Sequence, residues 1–337
     1  DLSAANREHR ISMAVGICLT PQDGLDATDL LRKADIALYR AKADKSTSRS
    51  SMRFFEPGMD MHLRERGVLE HELRESVAQR GVGLLYQPLV DLKTGDLSAF
   101  EATARWTSPT LGELPSDRII ALAEDLDLIA PLTDLIFDQA CADAAKWPAD
   151  VTLAFNISAH LLRDSTLGVR ILRTLNRHGL APGRLELEIT ECALVRDLKG
   201  AQQVLGGLRQ IGVRIVLDDF GTGYSNLCHL RAFKVDKIKI DKSLVAAMDD
   251  DQGHAAIVRA LVGLGSGLGC QVTAAGIETP EQERMLTAQG CDQGQGHLFA
   301  TALDAEAALI MVERSKRRRP EAVEAGGRLE RTPGCTL

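Results

Sequence analysis

Gly83-Leu84-Leu85-Tyr86-Gln87-Pro88-Leu89-Val90-Asp91-Leu92 is a largely apolar run, followed at once by Lys93-Thr94-Gly95-Asp96 and then by a second run over 97–106. The two runs read as strands and the tetrapeptide as a turn. A link that short joins antiparallel neighbours, because a parallel crossover needs a dozen or more residues. Beyond it the rhythm changes. Strand-like stretches at Val151–Ser158, Leu185–Thr190, Val213–Asp219, Val235–Asp241, Cys270–Ile277 and, more weakly, Asp292–Phe299 alternate with helical stretches such as 117–147, 198–211 and 254–268. Eight strands, mostly in βα units, over roughly 230 residues predict an α/β fold, a (β/α)8 TIM-like barrel with one antiparallel strand. The rival is an open doubly wound sheet.

Upstream, residues 11–19 read as a buried strand, Pro21 to Gly24 as a turn, and 27–42 as a helix with Leu30, Leu31, Ala34, Leu38 and Ala41 on one face. One strand and one helix are too little for a domain, so residues 1–55 are expected to form a small α/β N-terminal fragment. Residues 44–51 are a polar break, and a charged helix at about 60–80 places a linker helix within 56–82. The barrel domain is then expected over 83–314. The tail 315–337 opens with Lys316-Arg317-Arg318-Arg319-Pro320. Acidic residues follow directly, so it reads as a disordered, solvated end rather than a nucleic-acid patch.

Charged residues make up 26% of the chain and hydrophobic residues 45%, the balance of an ordinary globular protein. No run approaches the roughly 18 apolar residues of a membrane helix. The polar start Asp1-Leu2-Ser3 reads as no signal peptide. The expected location is cytoplasmic. The first residue is not Met, which leaves room for a longer, even membrane-anchored, parent with upstream sensor segments. A net charge of −7 argues against a nucleic-acid polymer as partner. The seven cysteines (Cys18, Cys141, Cys192, Cys228, Cys270, Cys291, Cys335) include no CxxC pair and read as reduced thiols.

Polar residues inside barrel strands are costly unless they act, and here they recur strand after strand. Glu101 sits in the second strand. Asn156 ends Ala-Phe-Asn, and Glu188 and Glu191 lie in Glu-Leu-Glu-Ile-Thr-Glu. Asp218 and Asp219 close Ile-Val-Leu-Asp-Asp, Lys239 lies in Lys-Ile-Lys-Ile-Asp and Gln295 in Gly-Gln-Gly. One such acid is readily a satisfied strand-end group. Five or more at the C-terminal ends of barrel strands point to a site. Three carboxylates and an amide oxygen suit Mg²⁺ or Mn²⁺, and Zn²⁺ is disfavoured because no His or Cys joins them. Asp218 and Asp219 could serve two cations, with Asp218 bridging, as in phosphodiester hydrolysis. Lys239 adds a cation near a phosphate or an attacking water, and Gly221 and Gly223 allow a tight loop after the two aspartates.

These residues carry a resemblance. Residues about 83–312 resemble the EAL domain family of cyclic-di-GMP-specific phosphodiesterases. Phe100-Glu101-Ala102-Thr103-Ala104-Arg105-Trp106 stands at the naming motif, and Asn156-Ile157-Ser158, Glu188-Ile189-Thr190-Glu191, Asp218-Asp219-Phe220-Gly221-Thr222-Gly223-Tyr224-Ser225 and Lys239-Ile240-Asp241 match in order and spacing. The resemblance implies that Glu101, Asn156, Glu188 and Asp218 hold one divalent metal and that Asp218 and Asp219 serve a second. It gives Lys239 a role beside the nucleophilic water, Gln295 a supporting one, and Gln87 and Arg105 a place facing the dinucleotide. Glu191, Asp241 and Glu278 take supporting places. Its ligand would be cyclic di-GMP, with a homodimer as the expected assembly.

Three departures stand out. Thr103 replaces the motif's leucine. Ala274-Ala275-Gly276-Ile277-Glu278-Thr279 stands where the family has Ala-Glu-Gly-Val-Glu-Thr, so the glutamate tied to the second metal and the water is Ala275. A late proline is replaced around Ala302. The resemblance with this gap implies cyclic-di-GMP binding with weak or no hydrolysis, a first metal site retained and a second in question. An active phosphodiesterase giving linear pGpG and a ligand-free dimerisation scaffold are the alternatives. Residues 11–55 resemble the end of a GGDEF diguanylate cyclase domain, with Arg32-Lys33-Ala34-Asp35-Ile36-Ala37-Leu38-Tyr39-Arg40-Ala41-Lys42 as its closing helix. The naming segment of that family is absent, so no cyclase activity is expected from this chain.

Overall fold

The computed structural model describes residues 2–4, 7–9, 13–43, 51–191, 193, 198–221, 234–248 and 252–318. The loop Thr222-Gly223-Tyr224-Ser225, Cys192, Cys228, Cys335 and the tail after 318 lie outside the described residues. Two compact units emerge, Asp1–Val82 with Trp106–Leu128, and Gly83–Arg105 with Ile129–Leu337.

In the first unit β1 (Leu2–Ala4) pairs antiparallel with β2 (Arg7–His9). β3 (Ala14–Ile17), α1 (Ala27–Ala43) and β4 (Ser51–Phe54) form a parallel βαβ turn of chain. β3 is half-buried throughout rather than the buried strand that its apolar sequence suggests. Its Gly16 is needed for close packing: a Cβ there would lie 2.2 Å from the Ala34 carbonyl oxygen and from the Leu38 nitrogen of α1. α2 (Pro57–Ala78) is the charged helix read from the sequence. Its Ser76 accepts a hydrogen bond from Trp106 Nε1 at 2.9 Å, and its Glu72 accepts from Ser108 and Thr110.

The second unit is built on a closed barrel. Its strands are β5 (Gly83–Asp91), β6 (Leu97–Ser108, whose end enters the first unit and pairs there with β7, Gly112–Leu114), β8 (Thr152–Asn156), β9 (Leu185–Thr190), β10 (Arg214–Phe220), β11 (Lys237–Ile240), β12 (Gln271–Ala274) and β13 (Gln293–Gln295). From β6 through β8, β9, β10, β11 and β12 to β13 every pairing is parallel. β5 closes the ring, antiparallel to both β13 and β6. The eight-stranded barrel with one reversed strand expected from the short turn at 93–96 is therefore the fold, and the open sheet is excluded by the β5–β6 pairing.

The helices form for reasons visible in the sequence. α3 (Ser116–Asp125) and α4 (Ile129–Ala144) replace the single helix expected over 117–147. The break falls at Asp127, whose φ of 56° is left-handed, a conformation that Asp tolerates better than most residues. α5 (Leu167–His178) buries Leu167, Ile171 and Leu175, one stripe at a spacing of four, and ends at Gly179 with φ 65°. α6 (Leu198–Gln210), α7 (Lys242–Ala246) and α8 (Gln252–Leu268) follow β9, β11 and α7. α9 (Pro280–Gln289) starts on a capping box between Thr279 and Gln282 with Pro280 at its first position. α10 (Ala305–Arg318) is last. The strand expected over Asp292–Phe299 shortens to Gln293–Gln295 because Gly296 opens a turn. Among the described residues no helix is long and apolar enough to cross a membrane.

Two glycines make opposite predictions. A Cβ on Gly296 would lie 2.0 Å from the Ile277 oxygen and 2.4 Å from its nitrogen, both backbone. Gly296→Ala should cost about 1–3 kcal/mol, as overpacking does, and lower Tm by several degrees. Gly263, in the middle of α8, has nothing within 4 Å of its Cβ position, so Gly263→Ala should raise stability by about 0.5–1 kcal/mol. Thermal melts of both variants check the pair.

Candidate functional site

Side chains alternate across a strand, so residues two apart share the barrel interior. That alternation brings Glu101 from β6, Glu188 from β9 and Asp218 from β10 together, with one carboxylate oxygen of each within 4.8 Å of the others. Lys239 from β11 reaches into their midst. Its Nζ lies 2.7 Å from Glu101 Oε2, 3.2 Å from Glu188 Oε2 and 3.7 Å from Asp218 Oδ2. Asn156 Nδ2, at the end of β8, donates to Glu101 Oε1 at 2.7 Å and to Glu188 Oε2 at 3.1 Å. Gln295 Nε2, at the end of β13, donates to Glu101 Oε2 at 2.6 Å and to Gln87 Oε1 of β5 at 3.2 Å. Seven strands thus contribute to one cluster.

Its electrostatics follow from burial and crowding. Glu188 is fully buried (0% exposed). Burial pushes its carboxyl well above the usual range, and the neighbouring Glu101 and Asp218 push the same way against Lys239. Burial acts on Glu101 too, but the Lys239 ammonium and the Gln295 and Asn156 amides outweigh it and hold that carboxyl low. Asp218 is raised by burial, which Lys239 offsets only in part, and Glu101 adds to the rise. Lys239 is disfavoured as a cation by burial, yet the three carboxylates hold its proton well above the usual lysine range. One ammonium among three carboxylates leaves an excess of negative charge inside the barrel. This hard-oxygen set fits a divalent cation such as Mg²⁺ or Mn²⁺. Asn156 presents its NH₂ to the carboxylates; a half-turn of the amide would present the oxygen that a cation takes.

A cavity of about 390 Å³ opens on this cluster, lined by Gln87, Glu101, Asp218, Lys239 and Gln295 below and by Asp219, Asp241, Ala275, Glu278 and His297 around the rim. Larger clefts, of about 520, 670 and 710 Å³, gather no carboxylate cluster among the described residues. Asp219 stands outside the three-carboxylate group. Its φ of 54° is left-handed, its nitrogen donates to Asp218 Oδ1 at 2.8 Å, and burial followed by Asp218 and Asp241 raises its carboxyl. Asp241 caps α7, accepting from Ser243 N at 2.9 Å. Glu191 is half-buried just past β9, and Arg105 is exposed on β6; neither lines the cavity. Thr103 fits its place by donating to the Leu85 carbonyl at 3.3 Å. The segment around Ala302 is held by Leu303, paired with Tyr86 across two backbone hydrogen bonds.

Sequence reasoning missed two groups. His297 lies two residues after Gln295 and its Nδ1 is 3.9 Å from Glu278 Oε1 on the rim. Lys237, Glu186 and Gln293 form a second buried polar layer, each two residues before a site residue on the same strand. The signal was the same period of two.

Residues 70–302 match the family described as EAL domain, and residues 1–48 match the diguanylate cyclase, GGDEF domain. The chain is 36% identical over 312 residues to the bifunctional diguanylate cyclase/cyclic di-GMP phosphodiesterase MucR of Pseudomonas aeruginosa, covering 91% of this chain and 45% of MucR. It is 34% identical over 297 residues to the cyclic di-GMP phosphodiesterase NbdA of the same organism, covering 87% of this chain and 38% of NbdA. The chain thus spans less than half the length of either relative. Among solved structures, the MucR phosphodiesterase in complex with c-di-GMP superposes with a TM-score of 0.69 at 35% identity, over 72% of this chain and 99% of that one.

The cluster's charge balance is directly testable. Removing the partner of a buried ion pair typically costs about 3–5 kcal/mol, so Lys239→Met should destabilise the protein by about that amount at neutral pH in the absence of divalent ions. Chemical denaturation checks this, and an unchanged midpoint would mean that the ammonium does not balance the carboxylates.

Proposed function

The chain belongs to the EAL domain family, and from that premise we propose that it is a cyclic-di-GMP-binding signalling domain whose phosphodiesterase activity is weak. One observation carries the reading. The cavity that opens on Glu101, Asp218 and Lys239 is walled on one side by Ala275 and Gly276, where the family places a glutamate. The Ala275 nitrogen is held by the Ile240 carbonyl at 3.0 Å, so the gap sits at a fixed place directly after β12.

In this reading Glu101, Asn156, Glu188 and Asp218 hold one Mg²⁺ or Mn²⁺, and Asp218 and Asp219 offer an incomplete second place. When bound, such a cation neutralises the charge that builds on a phosphodiester and makes water easier to deprotonate. The chain's own groups do the rest. Lys239 holds its proton among the carboxylates and orients the nucleophilic water, Gln295 fixes Glu101 and Gln87, and Arg105 grips a phosphate of the dinucleotide with paired, charge-assisted hydrogen bonds. Hydrolysis would add water across one phosphodiester, release the 3′ oxygen as an alcohol and leave linear pGpG. With a methyl group at 275, that position offers no carboxylate to accept the water's proton. Loss of a general base costs about 10²–10⁴-fold.

The second reading, full activity, is favoured by Glu278, which lines the same cavity. The domain layout (fragment 1–55, linker helix 56–82, barrel domain 83–314, tail 315–337), a homodimer, upstream sensor or cyclase segments and a cytoplasmic location belong to the proposal for the parent protein.

Two measurements test it. Ala275→Glu should raise turnover of cyclic di-GMP by about 10²-fold; equal rates in both proteins would overturn the role of Ala275. Arg105→Ala should weaken cyclic-di-GMP binding about tenfold or more, the worth of a hydrogen bond to a charged group. Calorimetry reads this, and a wild type that binds no cyclic di-GMP with Mn²⁺ present would leave the scaffold alternative.

A further inference from the structure

Barrel interiors are usually filled by branched aliphatic side chains, but beneath the candidate site lies a second polar layer. Lys237 Nζ donates to Glu186 Oε2 at 2.5 Å and to Gln293 Oε1 at 2.7 Å. Thr152 Oγ1 donates to Glu186 Oε1 at 3.1 Å, and Gln293 Nε2 donates to Ser98 Oγ at 2.6 Å. Lys237 and Glu186 are 2% and 1% exposed. No group of this layer lines the cavity above.

Stability does not account for the pair. A buried ion pair seldom stabilises more than apolar side chains of the same volume would. Position does account for it. Glu186, Lys237 and Gln293 each precede Glu188, Lys239 and Gln295 by two residues. They therefore share a face with them, roughly 6–7 Å further down the strands. β9 and β11 are not neighbours, since β10 lies between them. The Lys237–Glu186 pair reaches across that gap, and Gln293 extends the tie to β13. At its outer end Arg214 Nη1 meets Glu186 Oε1 at 3.2 Å and fixes the carboxylate from the other side.

We propose that Lys237, Glu186 and Gln293 are positioning residues: they set the spacing of β9, β11 and β13 so that Glu188, Lys239 and Gln295 converge at the height where a divalent cation is held. This rests on the reading of the upper cluster as a cation site. Groups that orient metal ligands from outside the coordination sphere typically change affinity 10–100-fold when removed.

The test compares two double variants of the full chain, each keeping the pair's summed charge at zero. Glu186→Leu with Lys237→Met makes the layer apolar; Glu186→Gln with Lys237→Gln keeps it polar and hydrogen-bonded. Thermal melts and calorimetric titration with Mn²⁺ alone, without nucleotide, are read together. The apolar pair should melt no lower than the wild type yet bind Mn²⁺ at least about tenfold more weakly, while the polar pair stays within about threefold of the wild type. A folded apolar pair that binds Mn²⁺ as the wild type does overturns the proposal. If the apolar pair does not fold, Gln293→Leu, which keeps the Lys237–Glu186 pair but removes the second acceptor of Lys237 together with the hydrogen bonds of Gln293 to Ser98 and Thr273, should weaken Mn²⁺ at least about threefold, and unchanged affinity there overturns it equally. A wild type that binds no Mn²⁺ overturns the reading of the site and this inference with it.

Discussion

Lys239 puts one ammonium among the carboxylates of Glu101, Glu188 and Asp218, and much of the second unit can be read as the apparatus that brings those four groups together. The cluster needs side chains from β6, β9, β10 and β11 to meet at one height. Only a closed barrel brings β6 round to β11, and closure here depends on β5 running against both of its neighbours. The tight turn at 93–96 is thus connected to the site: it reverses the chain, lets β5 pair with β6 and β13, and sets Gln87 opposite Glu101. Burial makes the arrangement costly for every charge in it. The cost is met by mutual pairing, with Asn156 and Gln295 supplying the remaining donors.

The barrel and most of the cluster were legible in the sequence because both rest on short-range patterns. A tetrapeptide turn forces an antiparallel pair, and carboxylates at the ends of apolar runs stand out against the cost of burial. What was not legible depends on backbone conformation or on depth. Asp127 gives no sign in the sequence that its left-handed φ will split one helix into two. Gly296 could be read as a strand residue, whereas its close approach to the Ile277 backbone turns the chain. Glu186 and Lys237 lie in the very strings that were read for Glu188 and Lys239. They look like surface alternation until the closed barrel shows that both polar positions of each strand face inward. Asp219 was read as serving a second cation that Asp218 bridges; successive residues face opposite ways, and Asp219 lies on the rim of the same cavity.

Ala275 is where the account of function turns. The neighbouring features are those of an intact site: a buried carboxylate trio, a lysine in place, and a cavity of the right polarity. The missing group is a single carboxylate on a wall whose backbone is otherwise held by hydrogen bonds to Ile240 and Gln295. In the proposed reading, the change at Ala275 keeps the groups that recognise a ligand and loses one that processes it, the division expected when a catalytic domain serves as a receptor.

The most direct measurement follows ligand and product in one experiment. The wild-type protein is incubated with cyclic di-GMP and Mn²⁺, and protein-bound cyclic di-GMP and linear pGpG are quantified in the same samples over time. Saturable binding with slow accumulation of the linear product is expected. Turnover near the roughly 10 s⁻¹ of a typical enzyme would contradict it.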